Sequence, residues 1–216
     1  MKQIFALLGL IFILISLAYA HQPRIVFDQN ASIENPVKIE EPEISKAYYG
    51  NLKGSSDFYK IESFQPFKLY LNILAPDLSG SRTDFNVDVI SQNKTLFVLN
   101  GTAHDWTKFH EEFGGDDYIK GPEIEKNMST GDYYIKVYNK DNEGKYSLAV
   151  GDVESFPPKE SIRVLLLLPR IKSEFFEKPA CDAYSGKIGM FLLVPLIVLL
   201  FIIILLFWAM RRKRDV

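Results

Sequence analysis

From Ile188 to Met210 the chain carries no charged residue, and Arg211-Arg212-Lys213-Arg214 follows at once. About 20 apolar residues in a helix cross the hydrocarbon core of a bilayer, so this stretch is long enough to span it with some tilt. A surface helix of a globular domain keeps a polar face, whereas this stretch is apolar all round. The basic residues that follow hold the chain end in the cytoplasm by the positive-inside rule. The expected architecture is therefore a single transmembrane helix over 188–210, with a cytoplasmic basic tail over 211–216. Pro195 lies inside the span and lacks a backbone N–H, which predicts a modest kink. Trp208 falls where an aromatic at the inner interface is expected.

The other end agrees with that orientation. Lys2 precedes an apolar run from Ile4 to Leu17, and Ala18-Tyr19-Ala20 has the small-x-small pattern of a signal-peptidase site. Residues 1–20 read as a secretory signal peptide, leaving 21–176 as an extracytoplasmic domain and 177–187 as a short juxtamembrane linker. The protein is expected in the cell membrane, single-pass, with its N-terminus outside and its C-terminus cytoplasmic. Its single Cys181 cannot form an intramolecular disulfide, so the domain must be held by its core rather than by staples.

That core is expected to be all-β. Phe67, Leu69, Leu71 and Ile73 alternate with Lys68, Tyr70 and Asn72, the period-2 pattern of a strand with one buried face. Phe85-Asn86-Val87-Asp88-Val89 repeats the pattern, and Tyr133, Ile135 and Val137 continue it, as do Tyr146, Leu148 and Val150. Asn139 to Gly144 is turn-rich and reads as a hairpin connection between the last two strands. Many short strands divided by Gly, Asn and Asp turns indicate a β-sandwich. With 11 Tyr and 16 Phe in the chain, aromatic side chains are expected to fill much of it. Two segments break the pattern. Residues 102–126 read as a long loop, which in a compact domain is often functional. Residues 159–176 offer one apolar side for packing on the sandwich, with Pro169 expected to break any continuous helix.

At these strands the sequence resembles the bacterial pre-peptidase C-terminal domain. Gly50-x-Leu52-x-Gly54 followed by Asp57-Phe58-Tyr59 is similar to the opening strand and turn of that family. Phe85 to Ile90 resembles its central strand, and Gly131 to Val137 with Gly144 to Val150 resembles its closing hairpin. The resemblance covers about half of the chain and implies a jelly-roll-like β-sandwich in a small membrane-anchored prokaryotic protein. Some members of that family bind calcium or carbohydrate-like polymers. The chain departs from the pattern in carrying no peptidase domain and in its longer 102–126 segment.

Chemistry-bearing motifs are sparse. The sequence contains no P-loop, Rossmann glycine motif, His-Glu-x-x-His or recognisable Ser/His/Asp context, so the chain is not expected to be an enzyme. Cleavage after Ala20 would leave His21 at the mature N-terminus, where amine and imidazole together can chelate copper. His104 or His110 can complete such a site, with Asp105 or Glu111 in support. Glu111, Glu112, Asp116 and Asp117 form an oxygen-rich cluster suited to calcium, although their spacing is not that of an EF-hand. Four sequons, at Asn30, Asn93, Asn100 and Asn127, are glycan acceptors where the machinery exists. The ectodomain has no basic stripe, so nucleic acid is excluded as a partner. The bilayer, an extracytoplasmic protein and a polysaccharide remain. These residues indicate a membrane-anchored binding or scaffold module, with a copper- or calcium-binding accessory protein as the alternative.

Overall fold

A computed structural model describes residues 21–155 and 157–212. The expected signal peptide and the end of the basic tail fall outside the described residues. Eleven strands among the described residues form two sheets. The first sheet has the order β1-β3-β11-β5-β9-β8, and the second β2-β4-β10-β6-β7. In the first lie β1 (Gln22–Ile25), β3 (Lys46–Lys53), β5 (Phe67–Pro76), β8 (Thr107–Glu111), β9 (Asp116–Met128) and β11 (Glu143–Val150). In the second lie β2 (Val37–Lys38), β4 (Asp57–Ser63), β6 (Asn86–Ser91), β7 (Lys94–Leu99) and β10 (Gly131–Tyr138).

The alternation read from the sequence becomes the sandwich core. Leu69, Leu71 and Ile73 on β5 and Tyr146, Leu148 and Val150 on β11 are fully buried from one side. Val87 and Val89 on β6 pair in register with Val137 and Ile135 on β10 and meet them from the other. A period of two puts every such residue on one face of the pleat, so the pattern selects the buried face without reference to the partner strand.

Two expectations are corrected. The Asn139–Gly144 connection is not a hairpin, because β10 pairs with β4 and β6 whereas β11 pairs with β3 and β5. The chain arches from one sheet to the other, since Val137 and Tyr146 must both point into the space between the sheets. Buried Asn139 holds that corner, donating to the Glu143 carbonyl at 2.8 Å and accepting from the Glu143 N–H at 3.1 Å. Nor is 102–126 a structureless loop: most of it is the hairpin of β8 and β9. β8 is an exposed edge strand without apolar alternation, and Gly121-Pro122 interrupts β9, so neither strand announces itself. Asn72 takes up the irregularity, donating to the carbonyls of Gly121 and Pro122.

A third layer covers the outer face of the first sheet. α1 (Pro158–Arg170) buries Val164 and Leu168 and begins with Pro158 in the first turn, where its missing N–H costs nothing. Pro169 is expected to break a continuous helix, and the α-helix ends one residue after it, at Arg170, where a π-helical turn takes over. Pro169 lies in the last turn and cannot donate to the Leu165 carbonyl, and the Tyr184 hydroxyl takes that acceptor instead at 3.1 Å. A π-helical turn, Ile171–Phe175, follows, and then a 3-10 turn, Ala180–Tyr184. The expected juxtamembrane linker, 177–187, is thus folded over Ala180–Tyr184, with Ala183 fully buried against Val164, Leu168 and Ile188.

α2 (Lys187–Arg212) closes the chain. Among the described residues, no helix is long and apolar enough to cross a membrane. The backbone of α2 nevertheless runs unbroken for 26 residues and through position 195, and its sequence is uncharged between Ile188 and Met210.

Candidate functional site

The space between the first sheet and its helical cover brings buried polar side chains together beside a cavity. A cavity of about 140 Å³ lies there, lined by Tyr49, Asn72, Tyr118 and Ser147 on the sheet and by Leu168 and Ile171 on the helices. Beside it, Lys172 from the π-helical turn is 1% exposed and Asp116 from the start of β9 is 5% exposed. The Lys172 ammonium donates to Asp116 Oδ2 at 2.7 Å and to the Gly114 carbonyl at 2.7 Å. Lys178 donates to Asp116 Oδ1 at 3.0 Å. Both carboxylate oxygens are therefore engaged by cations, as a buried charge requires. Around this clasp, Phe175 and Phe176 pack edge-on against Tyr49 and Tyr118, whose hydroxyls meet at 3.0 Å. Burial drives both phenols well above their usual pKa, so neither is a base or nucleophile near neutrality.

This arrangement redistributes the residues singled out in the sequence. Asp116 pairs with lysines. Glu111 caps the tip of the β8–β9 hairpin, accepting from the N–H groups of Phe113 and Gly114 at 2.9 and 2.6 Å. His110 and Asp117 form an exposed pair at 2.7 Å, and that hydrogen bond lowers the Asp117 pKa. Glu112 bonds Lys187. His104 and Asp105 lie in the exposed turn before β8, and His21 precedes β1, with its Nδ1 against the Ser45 hydroxyl. Among the described residues, no group of three or more His, Cys, Asp or Glu is arranged to hold a metal ion. All four sequon asparagines, Asn30, Asn93, Asn100 and Asn127, are exposed.

A second buried polar group, missed in the sequence, lies inside the sandwich. The Tyr146 hydroxyl donates to Asp57 Oδ2 at 2.7 Å and meets the Tyr59 hydroxyl at 2.7 Å. The Asp57-Phe58-Tyr59 and Gly144-Lys145-Tyr146 segments, noted separately, are thus one network. Burial raises the Asp57 carboxyl to about 6, against the lowering influence of the Tyr146 hydroxyl and of Lys53. Because this folded value lies above the unfolded one, protonated Asp57 favours the fold. Its contribution is complete below about pH 4 and is lost as the pH rises through about 6. Asp57→Asn is neutral throughout. Relative to wild type it is expected to gain on the order of 1–2 kcal/mol between pH 4 and pH 7, after allowance for solvent screening. Urea unfolding at both pH values checks this; a pH-independent difference contradicts it.

No protein-family model matches the chain, and no curated protein matches it. Among solved structures, it is similar to the pre-peptidase C-terminal domain of a collagenase from Bacillus anthracis. The identity is 16% and the TM-score 0.32, over 53% of this chain and 91% of that one. A β-glucosidase from Paenibacillus barengoltzii is matched at 10% identity and a TM-score of 0.25, over 61% of this chain and 13% of that one. Likeness at this level carries no functional argument.

Proposed function

We propose that this chain is a membrane-anchored scaffold module that presents a β-sandwich at the outer face of the membrane. The observation that carries the reading is the splice between the sandwich and the apolar helix. The Ile188 N–H donates to the Phe113 carbonyl at 3.0 Å, and Lys187 pairs with Glu112. The Phe113 and Phe191 rings meet edge-on at 5.6 Å. A Cβ on Gly189 would stand 2.3 Å from the Tyr184 backbone, so the first turn of α2 is seated directly on the 3-10 turn. At 1.5 Å per residue the 26 residues of α2 extend for about 39 Å, ample for a bilayer core. The basic run after Met210 supports a cytoplasmic C-terminus. On this reading the sandwich is mounted rigidly on its anchor rather than tethered to it.

The sandwich itself we take as a divergent form of the pre-peptidase C-terminal module, on the Gly50, Asp57–Tyr59 and Gly144–Tyr146 residues that build its interior network. Its helices pack on the first sheet. The surface left for an extracytoplasmic protein or polysaccharide is the outer face of the second, where Tyr134 and Tyr138 on β10 stand beside Lys60 and Lys136.

Cys181 is exposed just before α2 and supplies the test. In a bacterial host expressing the full chain, a membrane-impermeant maleimide is expected to label Cys181 on intact cells. The protein is also expected to resist alkaline carbonate extraction. Labelling only after lysis, or release by carbonate, overturns the reading.

A further inference from the structure

α1 has two apolar sides, and the fold uses only one. At about 100° per residue, Glu160, Val164 and Leu168 fall on one side of the helix and Pro158, Ile162, Leu166 and Pro169 on the other. The first group is buried; Ile162 is 64% exposed and Leu166 70%. Solvent exposure of two large aliphatic side chains one turn apart is unexplained by the packing of the sandwich. Along the edge of this face Lys159 and Arg163 are exposed, Arg163 bonding Glu160 at 3.1 Å, and Arg170 is held by Asp28 and Glu174. The only acidic residue of α1, Glu160, turns inward to Arg24 and is 8% exposed. An apolar face that carries no exposed carboxylate of its own helix and has Lys159 at its margin has the composition of a helix lying in a headgroup layer.

Position supplies the second argument, and it rests on the reading of α2 as a membrane span. Leu165, next to Leu166, packs into the cluster that contains Ile188 and Phe191 from the first turns of α2. From Ile188 to Trp208 the helix rises about 30 Å, the thickness of the hydrocarbon core. With Trp208 at the inner interface, the outer interface falls at Ile188, where α1 is packed. No linker separates the two, because residues 180–188 are folded against α1.

We infer that the Ile162–Leu166 face of α1 is a second membrane contact. It lies in the outer headgroup layer of the bilayer that α2 enters, with Lys159 toward anionic lipid. The domain then rests on the membrane along α1 and is fixed in tilt as well as in position.

Single-cysteine probes in a Cys181→Ser background of the full chain test this. An environment-sensitive fluorophore is attached at Leu166→Cys, Ile197→Cys or Phe64→Cys, and the protein is reconstituted in vesicles of phosphatidylcholine and phosphatidylglycerol. Phe64 is 95% exposed in the turn between β4 and β5, whose start pairs with the end of β9 far from the β8–β9 hairpin tip, and serves as the solvent control. The Leu166 probe is expected to shift to shorter wavelength and to lose emission more to a lipid quencher near the headgroups than to one deep in the acyl chains. The Ile197 probe is expected to show the reverse preference, and the Phe64 probe neither effect. If the Leu166 probe behaves like Phe64 while Ile197 is quenched at depth, the inference fails and the span stands. A Leu166 probe that is shielded but unquenched by lipid means that protein covers the face, which also overturns it. If Ile197 is not quenched at depth, span and inference fall together.

Discussion

Lys172→Ala is expected to lower the unfolding free energy of the full chain in detergent by about 3 kcal/mol, the lower end of the cost of breaking a buried ion pair. The substitution leaves the Asp116 carboxylate, 5% exposed, with Lys178 alone, and leaves the Gly114 carbonyl without its donor. The lower end applies because Lys178 remains at 3.0 Å. The effect reaches beyond the pair. Lys172 sits in the turn that carries Phe175 onto Tyr49, so loosening it exposes the aromatic cluster under the helical cover. Lys178 is about one-third exposed, and Lys178→Ala is expected to cost only about 1 kcal/mol. Replacing the inner pair with apolar residues, Lys172→Met with Asp116→Leu, should recover part of the loss: no carboxylate is then stranded, although the Gly114 carbonyl still lacks its donor and Lys178 its partner. Urea midpoints of the three variants decide the matter. Equal costs for the two lysine variants mean that Lys172 does not anchor the layer.

Gly50→Ala is the second large effect, and its cause is space rather than backbone conformation. Gly50 lies directly across from Tyr146 in the β3–β11 ladder, and a Cβ there would stand 2.2 Å from the Tyr146 ring. That ring is fully buried, and its hydroxyl is held by Asp57 and Tyr59, so it cannot swing clear without breaking both hydrogen bonds. A loss of about 3 kcal/mol is expected from overpacking and from the stranded polar groups together. Gly54→Ala is the control. Gly54 has a φ of +87° but nothing within 4 Å of its Cβ position, so only backbone strain of about 1 kcal/mol is expected. In a Tyr146→Leu background the Gly50→Ala cost should fall below that of Gly54→Ala, since the two sites are in contact and their effects do not add. An undiminished cost in that background places the clash elsewhere.

The interior of the sandwich was legible because side-chain alternation is a local property. Leu69, Leu71 and Ile73 declare their burial within five residues, whatever strand they pair with. The arch at Asn139 was not legible. A turn-rich segment between two alternating strands fits a hairpin and a sheet crossing equally well, and only the competition of β3, β4, β5 and β6 for partners separates them. β8 escaped notice because an exposed edge strand has no buried face to print on the sequence. Lys172 is not legible because the apolar side of 159–176 says nothing of a lysine between Ile171 and Phe175, and its partner Asp116 lies 56 residues earlier. For the same reason Asp116 reads in the sequence as one of an oxygen-rich cluster suited to calcium.

The charge-free run from Ile188 to Met210, the basic residues after it and the strand periodicities were set by sequence alone, because each depends on neighbours within a turn or a pleat. Tertiary structure alone decided that the segment before the run is no linker. Ala183, Val164, Leu168 and Ile188 bury one another because α1, the 3-10 turn and α2 come together beside the first sheet, where Lys172 meets Asp116 from 56 residues away.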